Sequence, residues 1–510
     1  MNKKVIFSKG INSFTLHILA MAFMVADHLW NIFFPNQIWL NMLGRLAYLF
    51  FLYVPIIKQA VLMNLRSSTK MKFFRLNYFQ KIILGFAALI LLGAILLMLP
   101  ISSNDGVYTP FLNALFTSTS ASCVTGLIVY DTATHWSLFG QAIILFLIQI
   151  GGLGVVVVMT SLILLSGKRI GYSQRNTLAN SISVNSQGGI MKMLVFLLKW
   201  TGIIELFFAI LLATQFIPEF GLRRGLWYSV FHSVSAFCNA GFDLMGVKEP
   251  FSSLTEYVGN PVVNISIMSL ILLGGLGFMT WQDIAKNKWN FHRFRLQSKI
   301  ILSTTVFIIL LPAIFYFFVE FRGLPIKNRV FASLFTAVTP RTAGFNTVDF
   351  SKFSDSGIFL QTLLMLVGAA PGSTGGGMKV TTMTVLLLTS IAIFRNNSRT
   401  EAFGRTISRE IIRNATTIAF MYISLCILSG MFISLHDKLP LLATSFEAAS
   451  AIATVGLTLG ITPNLSPISH MVLIFLMYTG RVGGLCLIYA VFPNANQNKG
   501  RLVEENVIVG

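Results

Sequence analysis

Charge is scarce in this chain: only 11% of its 510 residues are Asp, Glu, Lys or Arg, against 55% hydrophobic. So apolar a composition cannot be buried in one soluble core, which excludes an ordinary water-soluble domain and points to a membrane. Cysteine is nearly absent. The four present, Cys123, Cys238, Cys426 and Cys486, sit in apolar or pore-forming stretches, so no framework of extracellular disulfides is expected. No stretch assembles a hydrolase triad, a metal-ligand cluster or a phosphorylatable aspartate in a recognisable setting. The expectation is therefore a protein that is not an enzyme and carries no cofactor of its own. An ATP-driven pump would need soluble domains for which there is no room. A cleavable signal peptide is not evident either, because the first apolar run is long and is followed by another.

What the chain has instead is long apolar runs, over 13–34, 39–64, 79–100, 138–167, 191–217, 257–285, 298–322, 356–394, 409–436 and 467–492. Acidic residues number 18 against 38 Lys and Arg, a net charge of +20. The bases cluster in alternate loops, Lys58 to Lys81, Lys168 to Lys192, Lys286 to Lys299 and Arg395 to Arg413. The opposite loops mix Asp131, Asp243, Glu249, Asp349, Asp355 and Asp437 with few bases. By the positive-inside rule the basic loops face the cytoplasm, which accounts for the charge without nucleic acid and predicts a multi-pass protein. The same loops could dock a cytosolic partner.

Four times a short amphipathic stretch runs into a glycine turn between two long apolar runs. The turns hold Cys123, Val124, Thr125 and Gly126; Cys238, Asn239, Ala240 and Gly241; Thr342, Ala343, Gly344 and Phe345; and Thr454, Val455, Gly456 and Leu457. Their glycines recur every roughly 100 to 115 residues, about right for two membrane crossings and a re-entrant loop. The stretches before them, such as Phe111 to Ala121 and Leu442 to Ala453, are too short to cross. Thr109-Pro110 predicts a helix start with threonine as N-cap and proline first in the helix, and Pro440 is its equivalent in the fourth quarter. Helices diving inward from the outer face would end at mid-membrane, their unpaired carbonyls favouring a cation there. Glycine tolerates the turn back outward, and four such turns around one axis would make a ring of backbone carbonyls.

TSTSASCVTGLIVYDT (117–132), FHSVSAFCNAGFD (231–243), FTAVTPRTAGFNTVD (335–349) and FEAASAIATVGLTLGIT (446–462) resemble the four filter loops of the Trk/Ktr/HKT potassium-transporter superfamily, above all its Ktr-type membrane subunit. The likeness covers about residues 71 to 510, including Glu505 to Gly510, which resembles that subunit's C-terminal tail. It implies an all-α integral membrane fold of four linked helix, pore-loop, helix units around a central pore, at 71–185, 186–290, 291–400 and 401–510. It further implies potassium uptake in the inner membrane of a bacterium, with potassium held only by filter carbonyls and sodium as a coupling ion. A homodimer and a cytosolic RCK-type, nucleotide-binding subunit of the Ktr kind are the implied partners, besides the bilayer. Serine in place of the first filter glycine goes with sodium preference in that superfamily, so four glycines favour potassium. A sodium-conducting or weakly selective relative is the alternative.

The third quarter's second helix is interrupted at 368–379, where Pro371 stands among Gly372, Ser373, Thr374, Gly375, Gly376 and Gly377. A helix cannot pass a proline and several glycines intact, and irregular backbone at membrane depth must line a cavity or be buried in protein. The segment resembles the family's gating loop. Gly372 and Gly377 have a phosphate-loop separation, but Met378 intrudes before Lys379 and Val380 stands where Ser or Thr is needed. Arg481, deep in the last apolar run, matches the family's arginine near that loop and is expected to hydrogen-bond loop carbonyls. Gly151-Gly152-Leu153-Gly154 and Gly274-Gly275-Leu276-Gly277 read as close helix contacts. His232, Glu447, Glu205 and Lys199 read as pairs that hold the bundle together.

Residues 1–70 add two further crossings and weakly resemble the start of TraX-type membrane acyltransferase-like proteins. A membrane acyltransferase is thus the alternative from another class. An inverted-repeat secondary transporter is a third, which the parallel repeats disfavour.

Overall fold

The computed structural model describes residues 78–154, 157, 190–288, 290–484, 486 and 490, all within the second of two compact units, Leu76–Gly510. The crossings at 13–34 and 39–64, the extension 1–70, the basic stretch 168–189 and the tail 505–510 lie outside the described residues.

The described chain is mostly helical: α1 (Tyr78–Leu97), α2 (Phe111–Cys123), α3 (Leu138–Leu153), α4 (Ile190–Phe237), α5 (Pro261–Gly275), α6 (Phe278–Asn287), α7 (Leu296–Phe318), α8 (Ile326–Val338), α9 (Asp355–Leu366), α10 (Val380–Phe394), α11 (Arg409–Asp437), α12 (Leu441–Ile452) and α13 (Pro467–Val482). Between α10 and α11 lies a small hairpin of β1 (Glu401–Ala402) and β2 (Arg405–Thr406). One order recurs four times: a long apolar helix, a short helix, a glycine turn and a capped helix. The long members are α1, the first part of α4, α7 and α11. Phe79–Leu97, Met193–Phe237, Leu296–Phe318 and Arg409–Asp437 are each long and apolar enough to cross a membrane. Their outer faces expose side chains that water would not tolerate in rows, Leu84, Leu91 and Leu92 on α1, Phe307, Leu311 and Ile314 on α7, Phe420, Leu428 and Leu435 on α11.

Local sequence explains where the helices begin and stop. Pro110, Pro325 and Pro440 precede α2, α8 and α12 as extended N-cap residues. The expected start at Thr109 is thus one residue early: Pro110 is the cap, and the Thr109 hydroxyl instead lies 3.4 Å from His135 Nε2. In α4 the change of direction falls at Gly221, whose φ of 79° no right-handed helix accommodates, just after Pro218. The second helices α3, α5, α9 and α13 are capped by the side chains of Ser137, Asn260, Ser354 and Ser466, each accepting from first-turn N–H groups.

The expected runs 138–167, 257–285, 356–394 and 467–492 are not continuous helices. α3, α5 and α13 stop at or just before Gly154, Gly277 and Gly483, with φ of 91°, 84° and 87°. Beyond Gly277 the chain resumes as α6 at 96° to α5. Between α9 and α10 the backbone is irregular over 367–379.

Packing closes a circle. α3 lies on α4, α5 on α8, α9 on α12, and α13 returns to α2. Each capped helix therefore touches the short-helix region of the next set, and the last set touches the first.

Candidate functional site

The four glycine turns share one backbone conformation. Each opens on a left-handed residue, Val124 (φ 56°), Asn239 (59°), Thr342 (65°) or Thr454 (52°), and reaches a glycine two positions later, Gly126 (95°), Gly241 (70°), Gly344 (80°) or Gly456 (91°). Left-handed torsions are unusual for valine and threonine, and such strain concentrates where a fold holds a binding or switching geometry.

The turns meet each other in order. A Cβ on Gly126 would lie 2.5 Å from the Ala240 carbonyl oxygen, on Gly241 2.7 Å from that of Ala343, and on Gly344 2.5 Å from that of Val455. On Gly456 it would strike the Thr125 carbonyl, which closes the ring. Four carbonyls, from Thr125, Ala240, Ala343 and Val455, thus border one small circle with no room for a side chain at any glycine. Cys123 is the last residue of α2, and Cys238 turns away from the ring, its Sγ 3.5 Å from Gln149 Oε1. Phe345 and Leu457 follow their glycines into buried positions.

Hydroxyls brace the ring from behind. Ser120 and Ser450 accept from the N–H of Gly126 and Gly456, both at 3.0 Å, while Ser235 and Thr339 donate to the carbonyls of Phe242 and Phe345. The sequence reading missed these four. Aligning the turns on their glycines would have found Ser120, Ser235 and Ser450 at one offset, with Thr339 a residue nearer. Asn239 Nδ2 donates to the Arg341 carbonyl at 3.0 Å, tying the second turn to the third. The outer limbs are held by His232, whose Nε2 accepts from Leu244 N, and by Glu447, which accepts from the Thr458 hydroxyl, Leu459 N and Thr462 Oγ1. Glu205 is bound by the Gln149 amide at 3.1 Å, not by Lys199.

Segment 367–379 lies directly against this ring. A Cβ on Gly375 would meet the Thr342 side chain, on Gly376 that of Thr454, and on Gly377 the Ala453 carbonyl at 2.7 Å. The segment also satisfies carbonyls left open where neighbouring helices stop. Thr374 N donates to Gly274 O, Ala370 N to Gly275 O and Gly377 N to Gly480 O, at 3.0 to 3.2 Å. Thr374 Oγ1 reaches the Phe237 carbonyl, and Phe278 N donates back to Gly372 O. The remaining helix end, that of α3, is served by Arg481. Its guanidinium donates to the carbonyls of Gly151, Gly152 and Thr374, joining the segment to α3. Lys379 Nζ donates to the carbonyls of Gly375 and Gly376. Ser373 bonds within the segment, to Ala370 O. The glycine runs at 151–154 and 274–277 do make close contacts, Gly151 against Ser122 O and Gly274 against Phe237 O, but they end helices rather than continue them.

The family model for TrkH, described as a cation transport protein, matches residues 47–499. Among curated proteins, the "Potassium/sodium uptake protein NtpJ" of Enterococcus hirae is 39% identical over 450 residues, covering 86% of this chain and 98% of that protein. The "Ktr system potassium uptake protein B" of Bacillus subtilis is 36% identical over 454 residues, covering 88% and 100%. Among solved structures, that of the potassium transporter TrkH from Vibrio parahaemolyticus superposes with a TM-score of 0.65 at 16% identity, over 94% of this chain and 97% of that one.

Proposed function

Because this chain belongs to the TrkH family of cation transport proteins, we propose that it carries potassium into a bacterial cell through the ring of carbonyls at its four glycine turns. The observation that carries the reading is the closed cycle of contacts from Gly126 to Gly241, Gly344, Gly456 and back. Backbone oxygens around a small axis can replace the water shell of a monovalent cation. On this reading residues 71–185, 186–290, 291–400 and 401–510 are the four quarters, and entry is driven by membrane voltage and ion gradients.

Segment 368–379 is the gate. It is pressed against Thr342 and Thr454, and Arg481 holds it closed while opposing cations electrostatically. A nucleotide-binding cytosolic subunit of the Ktr kind, bound at the basic inner face, would shift the gate, and two copies of this chain would share one such ring. The protein lies in the cytoplasmic membrane.

Sodium conduction is the second reading, favoured by the name of the Enterococcus relative, a potassium/sodium uptake protein. The deciding experiment is complementation of a bacterium lacking potassium uptake, at limiting potassium. Residues 71–510 and a Gly126→Ser variant are compared, with and without a Ktr-type cytosolic subunit. Rescue by the parent, weakened by serine in step with rubidium uptake, supports potassium. Absence of rescue despite membrane expression, with or without the partner, moves the assignment to sodium conduction or to a non-conducting relative.

A further inference from the structure

Between the end of α10 and the start of α11 the basic loop 395–413 folds around a cavity of about 570 Å³. Its polar side is formed by Arg399, Arg409, Thr400, Ser408 and Asn397, and its other wall includes Ile393. Among the described residues neither arginine has an ion-pair or hydrogen-bond partner, and the nearby acids Glu401 and Glu410 do not line the cavity.

Local structure prepares this cavity for an anion. At the end of α10, Asn396 takes the left-handed conformation, its N–H bonding Ile393 O while Asn397 N bonds Ala392 O. This closing motif spends the last-turn carbonyls internally, so they do not face the cavity as free negative ends. At the other side α11 begins, and its first N–H groups, beyond the one that Ser408 caps, have no intrahelical partner. The cavity wall is built rather than floppy. Ala402 and Ile407 pack with Ile300, Val385 and Ala415, and the hairpin's Phe403 lies against Phe291, with Lys299 over both rings.

The apolar side identifies the source of the anion. Ile393, Phe394 and Ile411 beside the cavity are 65%, 86% and 52% exposed, at the ends of two helices long or apolar enough to lie in a membrane. Arginines lining a cavity with room for a whole head group, next to bare membrane-level hydrocarbon, fit a lipid better than a soluble phosphate, and basic pockets between helices on the cytoplasmic side take such head groups. We propose that this cavity binds the phosphate of an anionic phospholipid from the cytoplasmic leaflet, with its acyl chains along Ile393 and Phe394.

The test is lipid retention by the purified full-length protein in native mass spectrometry, comparing phosphatidylglycerol with phosphatidylcholine of the same chains. Phosphatidylglycerol should be retained preferentially. Removing both charges, Arg399→Gln with Arg409→Gln, should weaken it roughly 25-fold, and Arg399→Gln alone about fivefold. The single variant guards against fraying of α11, and Arg399→Lys should restore part of the binding. Arg405→Gln, in the hairpin but off the cavity, should change nothing. Equal retention of the two lipids, an equal loss with Arg405→Gln, or displacement of the lipid by millimolar inorganic phosphate would each overturn the proposal.

Discussion

Replacing Gly126 by alanine puts two separable demands on the ring of glycine turns. The first is conformational, since alanine at a φ of 95° stores about 1–3 kcal/mol of strain. The second is spatial. The new methyl would stand 2.5 Å from the Ala240 carbonyl oxygen, whereas a carbon and a carbonyl oxygen rest at about 3.3 Å. One carbonyl of the ring must therefore move by roughly 0.8 Å, several times the ~0.2 Å within which coordination distances are held in an ion site. Gly460 supplies the control. It has a φ of 84° and nothing within 4 Å of its Cβ position, so Gly460→Ala carries the strain without the displacement. Both variants, reconstituted in liposomes, should melt below the parent, Gly126→Ala by more because it adds the displacement to the strain. Only Gly126→Ala should lose rubidium uptake by about tenfold or more, with potassium no longer preferred over sodium. Parental rubidium flux and ion preference in Gly126→Ala would refute conduction through the ring.

Ser450→Ala leaves the Gly456 N–H without its acceptor in a buried setting, a cost of about 1–3 kcal/mol, and should reduce ion discrimination measured by competing rubidium and sodium uptake. Glu447→Gln replaces an acceptor of three donors by a group that must itself donate, and should lower thermal stability and uptake together in a melting and flux comparison. Arg481→Ala unties segment 367–379 from α3 and should raise rubidium leak in liposomes without any regulator; unchanged flux and unchanged regulation would sink that role. The parent alone should leak little, and adding a Ktr-type cytosolic subunit with its nucleotide should raise uptake markedly in the same liposomes.

How much of this was readable in the sequence depends on the range of the interaction. The glycine turns were legible because glycine is the residue that can take those torsions, whereas the caps Ser137, Asn260, Ser354 and Ser466 were not read and the one cap expected, Thr109, lies a residue early. The hydroxyl braces were not read, since a serine in an amphipathic stretch resembles any other until the turns are superposed. Hydropathy also carried the runs at 138–167 and 257–285 straight through Gly154 and Gly277. A glycine within an apolar run does not declare a positive φ; at Gly277 the Pro371 carbonyl, 2.6 Å from where a Cβ would stand, leaves room for glycine alone, whereas Gly154 has open space there. Glu205 was a visible anomaly, but its partner Gln149 lies on another helix, which no local pattern could name.

The third quarter shows how one substitution can redirect a repeated plan. Leu138 to Gly154, Pro261 to Gly277 and Pro467 to Gly483 span the same interval, and that interval counted from Asp355 ends on Pro371. Proline cannot adopt the positive φ of the other three positions and has no N–H to give. The helix instead stops early, at Leu366, and the chain runs irregularly through the glycines to Val380. That frees backbone donors exactly where α5 and α13 leave carbonyls open, and the donors of Ala370, Thr374 and Gly377 fill them. Arg481, placed on α13, does the same for α3 and for Thr374 O. Moving the segment aside breaks these three backbone bonds together with Phe278 N to Gly372 O, Thr374 Oγ1 to Phe237 O and Arg481 to Thr374 O. At about 0.5–1.5 kcal/mol net for each, the arrangement seen here is favoured by roughly 3–9 kcal/mol. Reversing a two-state balance of that size takes several kcal/mol of differential binding, which a passing monovalent ion bound equally in both states cannot supply. On the proposed gating role, closure rests on these helix ends, and opening calls for a ligand or partner that prefers the displaced segment.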